Sequence, residues 1–209
     1  MFRKGVFLFF SLLITVSSSW AQEFDEGIEY VKIDPPVKTS HPDKVVVTEM
    51  FWYGCPHCFR FEPYINKWKK NLPEGVIFEQ VPSVLNPGWM EHARAFFALK
   101  MMGEVDKVHE KLFNAIHVKR MRLNNVDALA DFVGKLGVDE KKFREYYHSF
   151  MVDSMIRKSR QKERKYGHRG VPSVIINGKY RTSASQAGSN ARMIQVINYL
   201  VKQELAARK

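Results

Sequence analysis

Val45-Val46-Val47-Thr48-Glu49-Met50-Phe51-Trp52-Tyr53-Gly54-Cys55-Pro56-His57-Cys58 is a nearly continuous apolar and β-branched run that ends, at a glycine, in a pair of cysteines. Such a run reads as a central strand covered on both faces. Gly54 lets the chain turn, Cys55 falls at the N-cap of the following helix, and Pro56 takes the first helical position, where its missing N–H costs nothing. Phe61, Ile65, Trp68 and Leu72 then recur at helical spacing, and Pro63 is expected to kink that helix. Cys55 and Cys58 are the only cysteines in 209 residues. A bridge between residues three apart closes too short a loop to remove much unfolded-state entropy, so the pair points to redox chemistry rather than to stapling.

Upstream of this stretch, Ile28 to Ile33 suggests a first strand, ended by Asp34-Pro35-Pro36. Downstream, Val76 to Val81 alternates as a further strand and is closed by Pro82 and Pro87. Between Gly88 and Tyr166 the pattern is helical: amphipathic segments run over Met90–Met102, Glu104–Ile116, Val126–Leu136 after Asn125, and Lys141–Tyr166 after Asp139. Strand signals return at Val174-Ile175-Ile176, and Asn177-Gly178 offers a two-residue hairpin turn into Lys179-Tyr180-Arg181-Thr182. Met193, Ile194, Ile197, Val201 and Leu205 mark a last amphipathic helix. This order predicts an α/β sheet interrupted by an inserted all-helical domain, with 22–85 and 156–209 forming the sheet domain and 86–155 the insert.

Met1 to Lys4 is a short basic start, Gly5 to Val16 is apolar, and Ser17 to Ala21 is small and polar apart from Trp20, which reads as a secretory signal peptide over 1–21 cleaved before Gln22. The apolar stretch falls well short of the roughly 20 residues that span a bilayer, and no cysteine near the cleavage site would carry a lipid. Removing 1–21 takes away Arg3 and Lys4, lowering the formal charge from +11 to +9, with 31 basic and 22 acidic residues left. Seven of these charges crowd into Arg157, Lys158, Arg160, Lys162, Arg164, Lys165 and Arg169. They read as a solvated helix face; attraction to anionic lipid or steering toward a membrane partner stays open. No nucleic-acid motif accompanies the run, and export argues against such a ligand.

Phe51 to Cys58, together with Gly170-Val171-Pro172 and Asn177-Gly178-Lys179-Tyr180 far downstream, resembles the DsbA family of periplasmic thiol:disulfide oxidoreductases over nearly the whole mature chain. A C-x-x-C alone is weakly specific, since it also opens zinc sites. A structural zinc site takes four ligands, and two sulfurs with His41, His92, His109, His117, His148 and His168 provide no second paired motif. His109 and His117 read as surface or partly buried side chains. The resemblance implies a thioredoxin-like fold with an inserted helical domain. It further implies a monomeric periplasmic oxidase that donates its Cys55–Cys58 disulfide to reduced exported proteins, uses no other cofactor, and is reoxidised by a DsbB-type membrane quinone-linked partner. A disulfide isomerase or reductase of the same superfamily is the alternative. The dimeric isomerase architecture is disfavoured because no dimerisation domain is visible before the first strand.

Cys55, at the helix start, meets unsatisfied N–H groups and the positive end of the helix dipole, both of which favour a thiolate. His57 adds a nearby donor, and a lowered thiol pKa is expected. Cys58, one turn into the helix, is the expected resolving sulfur. By the resemblance, Pro172 is a cis-proline facing the pair, and the backbone of Val171 pairs with extended substrate by β-augmentation. Glu49, the one acid in the buried strand, is by itself equally an outward-facing residue or a buried carboxyl that shifts nearby pKa values. The resemblance implies the buried acid. A lysine that often accompanies it on the next strand has no counterpart here, where Glu79-Gln80 stands. Phe51, Trp52 and Tyr53 are candidates for an apolar rim, and Met90, Met101 and Met102 for core filling.

Overall fold

All seven residues of the central strand, Val45–Phe51, are buried. The computed structural model describes residues 24–208, so the predicted signal peptide lies outside the described residues. Five strands, β1 (Val31–Lys32), β2 (Val45–Phe51), β3 (Val76–Pro82), β4 (Ser173–Ile176) and β5 (Tyr180–Ser183), form one sheet of order β1-β5-β4-β2-β3. β2 runs parallel to β3, with Val45 opposite Val76 and Phe51 opposite Pro82, and antiparallel to β4, with Glu49 opposite Val174. Parallel neighbours need a crossover connection, which α1 (Pro56–Lys69) supplies.

The remaining helices are α2 (Met90–Met102), α3 (Val105–His117), α4 (Val126–Lys135), α5 (Glu140–Tyr147), α6 (Phe150–Tyr166), α7 (Ala184–Ala187) and α8 (Asn190–Ala206). Alternation along β2 directs Val45, Val47 and Glu49 to one face of the sheet and Val46, Thr48 and Met50 to the other. On the first face Val45, Val47, Val174 and Ile176 pack with Phe61 and Ile65 of α1 and with Met193, Val196, Ile197 and Leu200 of α8. Burying each such aliphatic or aromatic side chain contributes about 1.5–3 kcal/mol. On the opposite face Met50, Val81 and Ile175 pack with Ile33 and with Tyr166 at the end of α6. The hairpin turn forms as expected: Asn177 and Gly178 both take positive φ, 52° and 66°, as a turn with the twist of its flanking strands demands.

α2 to α6 enclose a second core that includes Phe96, Leu99, Leu112, Phe113, Leu129 and Phe143 and extends without a break to Phe51, Tyr53, Cys55 and Cys58. The redox pair therefore sits where the two cores meet. α6 crosses the expected boundary at 155–156: Val152 and Ile156 belong to the helical core, while Tyr166 packs on the sheet.

Several elements differ from expectation. The first strand shrinks to two residues because the carbonyl of Asp25 accepts from the N–H groups of Ile28 and Glu29, winding 25–29 into a turn and leaving Ile28 62% exposed. The expected helix Lys141–Tyr166 is two helices, since the Ser149 hydroxyl caps α6 by accepting from the Val152 N–H at 3.2 Å. Helical periodicity continues through such a break, so hydrophobic spacing does not reveal it. The short α7 was not anticipated. α1 runs as one helix through Pro63.

Candidate active site

Cys55 is the N-cap of α1, with extended backbone (φ −86°, ψ 116°) and Pro56 at the first turn. Its Sγ accepts from the Cys58 N–H at 3.4 Å and, as a thiol, donates to the Val171 carbonyl at 3.3 Å. The two cysteines are unbonded to each other in this structure. Gly54 permits the approach: a Cβ there would lie 2.2 Å from the indole of Trp52. The hydrogen bond from Cys58, aided by the backbone N–H groups of Cys58 and His57 and by the charge of Arg60, holds the Cys55 thiol at about 6 against the opposing effect of burial. Cys58 is moved the other way. Burial first, then the bond to Cys55 and the charges of Cys55 and Glu49, push its thiol well above the ordinary value.

The Val171–Pro172 peptide is cis, as is Asp34–Pro35. Val171 and Pro172 line an open groove of about 460 Å³ with His57, Arg169, Ser173 and Arg181. The imidazole of His57 is exposed, and its Nδ1 accepts from Arg60 Nη2 at 2.9 Å. His57 thus acts on Cys55 through its backbone N–H, and Arg60 brings the positive charge.

Beneath the pair lies a buried polar cluster. Glu49 is fully buried, and its Oε2 accepts from Gln80 Nε2 at 3.0 Å. Glu62, on α1 one turn beyond Cys58, lies 3.3 Å from Nε2 of the buried His109. The ring of His109 also meets Gln80 Nε2 at 3.0 Å and the Tyr53 hydroxyl at 2.8 Å. Burial, then the negative charge of Glu62, raises the Glu49 carboxyl well above its ordinary value.

The family model of the DSBA-like thioredoxin domain matches residues 72–199. A thiol:disulfide interchange protein DsbA from Pseudomonas aeruginosa is 38% identical over 189 residues, covering 90% of each chain. Another from Azotobacter vinelandii is 40% identical over 182 residues, covering 87% of this chain and 85% of the relative. Among solved structures, DsbA of Pseudomonas aeruginosa superposes with a TM-score of 0.84 at 38% identity, covering 88% of this chain and 96% of that one. The chain belongs to the DsbA family. It is a thiol:disulfide oxidoreductase with a thioredoxin-like fold interrupted by a helical insertion.

The structure brings His57, Val171 and Pro172 together at the groove, sets Cys55 against the Val171 carbonyl with Pro56 beside it, and buries Cys58 behind them, within reach of the charge of Glu49. Arg60 and Glu62 were missed; the signal was their helical spacing, three residues after His57 and four after Cys58, which puts each on its partner's face of α1. His109 is a correction: it is 4% exposed and inside the cluster, not a surface or partly buried residue. His117 is partly buried, with Nε2 2.7 Å from the Tyr53 carbonyl. Of the three rim candidates, Phe51 and Tyr53 are core residues, whereas Trp52 is half-buried and stacks on Trp89 at 4.5 Å. Met90 and Met102 pack against the helical core.

A carboxyl whose folded pKa is raised contributes stability that is complete below its unfolded pKa and lost as pH rises through the folded one. Glu49→Gln is therefore expected to leave the oxidised protein unchanged near pH 4 and to make it increasingly more stable than the native protein as pH rises above the unfolded carboxyl value, by up to about 1.4 kcal/mol for each pH unit until the folded carboxyl ionises. Urea unfolding across this pH range measures this, and parallel pH profiles for both proteins would refute it.

Proposed function

We propose that this protein is a periplasmic disulfide donor, exported by residues 1–21, which oxidises newly exported reduced polypeptides. One observation supports this above the others: Cys55 caps the N-terminus of α1, where its sulfur accepts from the Cys58 N–H and faces the charge of Arg60, an arrangement that lowers its thiol to about 6 and shifts the balance toward the reduced state. A substrate thiolate attacks the Cys55 sulfur of the oxidised pair, the Cys55–Cys58 bond breaks, and Cys58 leaves and takes up a proton. A second substrate thiolate then attacks the substrate sulfur of the mixed disulfide and expels Cys55 as a thiolate. Two electrons have passed from the substrate to the cysteine pair, and the disulfide bond from the pair to the substrate. The low pKa of Cys55 makes it the better leaving group and speeds this second step.

Val171 and Pro172 form the wall against which an extended substrate strand lies, pairing by main chain, a recognition that tolerates many sequences. Glu49, fully buried and close enough for its charge to raise the Cys58 thiol, is the carboxyl that exchanges a proton with Cys58. The protein acts as a monomer with the Cys55–Cys58 disulfide as its only redox group, and a DsbB-type membrane quinone-linked oxidase restores that disulfide.

Equilibration of the mature protein with defined glutathione mixtures tests the direction of transfer. The pair is expected to be largely reduced even in mixtures rich in oxidised glutathione. A pair that stays oxidised in strongly reducing mixtures would overturn the donor reading in favour of a reductase.

A further inference from the structure

Arg157, Arg160 and Arg164 are spaced three and four residues apart along α6, which aligns them on one face of the helix. With Lys158 and Gln161 of the same helix they line a shallow, open depression on the surface of α6. Arg160 and Arg164 also line a second one, shared with Val84, Leu85, Glu163 and Arg169. Arg169 in turn lines the groove that holds Val171 and Pro172. These shared walls join three depressions into one arginine track that ends at the redox site.

Among the described residues Glu163 is the one carboxylate on the walls of this track, and it forms no ion pair with the arginines. All four arginines are exposed, and among the described residues no carboxylate lies within 4.0 Å of their guanidinium groups; the arginines in ion pairs are Arg94, Arg144 and Arg192. The two acids of α6 are engaged elsewhere: Asp153 pairs with Arg94 at 2.6 Å, and Glu163 turns inward to accept from the Ser83 hydroxyl at 2.6 Å and from the Val84 N–H. Arginine forks match carboxylates bidentately. The stretch from Arg160 to Arg169 is a depression between α6 and the Val84–Leu85 segment, which an extended chain can enter and a flat bilayer cannot.

We infer that the track Arg157–Arg160–Arg164–Arg169 docks an acidic segment of the reduced polypeptide whose cysteine reacts at Cys55. This rests on the donor reading and adds a substrate preference to it: acidic sequence flanking the cysteines accelerates transfer.

The test uses the oxidised mature protein and three dithiol peptides sharing one core, flanked by Glu, Gln or Lys. At low salt the Glu-flanked peptide is expected to be oxidised about tenfold faster than the Gln-flanked one and the Lys-flanked one more slowly, with the spread collapsing at high salt. In the triple variant Arg157→Ser, Arg160→Ser, Arg164→Ser the Glu-to-Gln ratio should fall to within about twofold of unity. Equal rates for Glu and Gln peptides in the native protein, or a ratio unmoved by the variant, would overturn the inference. So would arginine-dependent binding to phosphatidylglycerol vesicles without any peptide preference, which would make the track a lipid-facing surface. Fluorescence anisotropy with serine-for-cysteine peptides separates the two readings. A Glu preference in binding without any disulfide transfer would uphold the docking track and overturn the donor assignment.

Discussion

Cys55→Ser is expected to lower disulfide transfer by roughly a thousandfold or more, the scale of loss when a reacting nucleophile is removed. Cys58→Ser should instead accumulate mixed disulfides through Cys55. The asymmetry follows from placement. Cys55 caps the start of α1 against the Val171 carbonyl and keeps 7% of its surface exposed, enough for an incoming sulfur to meet it, while Cys58, one turn further on, has none. Thiolate absorbance of the reduced protein should accordingly show one ionisation centred at about 6, from Cys55, and none from Cys58 until well above the ordinary 9.0. Two overlapping ionisations near that ordinary value, or a Cys58→Ser protein that turns over like the native one, would contradict the assignment.

The second large effect is on stability. The folded pKa of Cys55, about 6, lies below the ordinary thiol value of 9.0, so its contribution to the reduced protein is present at high pH and is lost as pH falls through 6. At one pKa unit per 1.36 kcal/mol, that contribution is near zero at pH 5, about 1.4 kcal/mol at pH 7 and about 2.7 kcal/mol at pH 8. Above pH 9 the gain is offset by Cys58, whose raised folded pKa means stability is lost as pH rises. The stability of the reduced protein minus that of the oxidised protein, from denaturant midpoints, should therefore widen between pH 5 and pH 8. A difference that stays flat across this window would show that the folded state does not favour the Cys55 thiolate.

Much of this site was legible from local sequence. The apolar run into Gly54-Cys55-Pro56 specifies a buried strand, a turn and a helix start, and the dipole and free N–H groups of that start act on Cys55 within a few residues of chain. The Asn177-Gly178 turn was equally readable, because positive φ at two successive positions selects those residues. Where local signals were silent, expectation failed: the Ser149 cap interrupts a helix whose hydrophobic spacing never falters, and the carbonyl of Asp25 converts half of a strand-like segment into a turn.

The sequence by itself determined the redox pair, the alternation of sheet and helical blocks, and the placing of an acid at position 49. Only the tertiary structure decided what surrounds them. His109 belongs to α3 and Gln80 to β3, yet both close on Glu49 and Glu62 beneath the cysteines. Likewise Arg169 joins a basic helix to the groove at Pro172. The physical reason is range. A cap, a turn or a helix dipole acts through adjacent residues, whereas the pairing of a buried carboxylate, or the joining of one cationic surface, depends on which distant elements the two cores bring into contact.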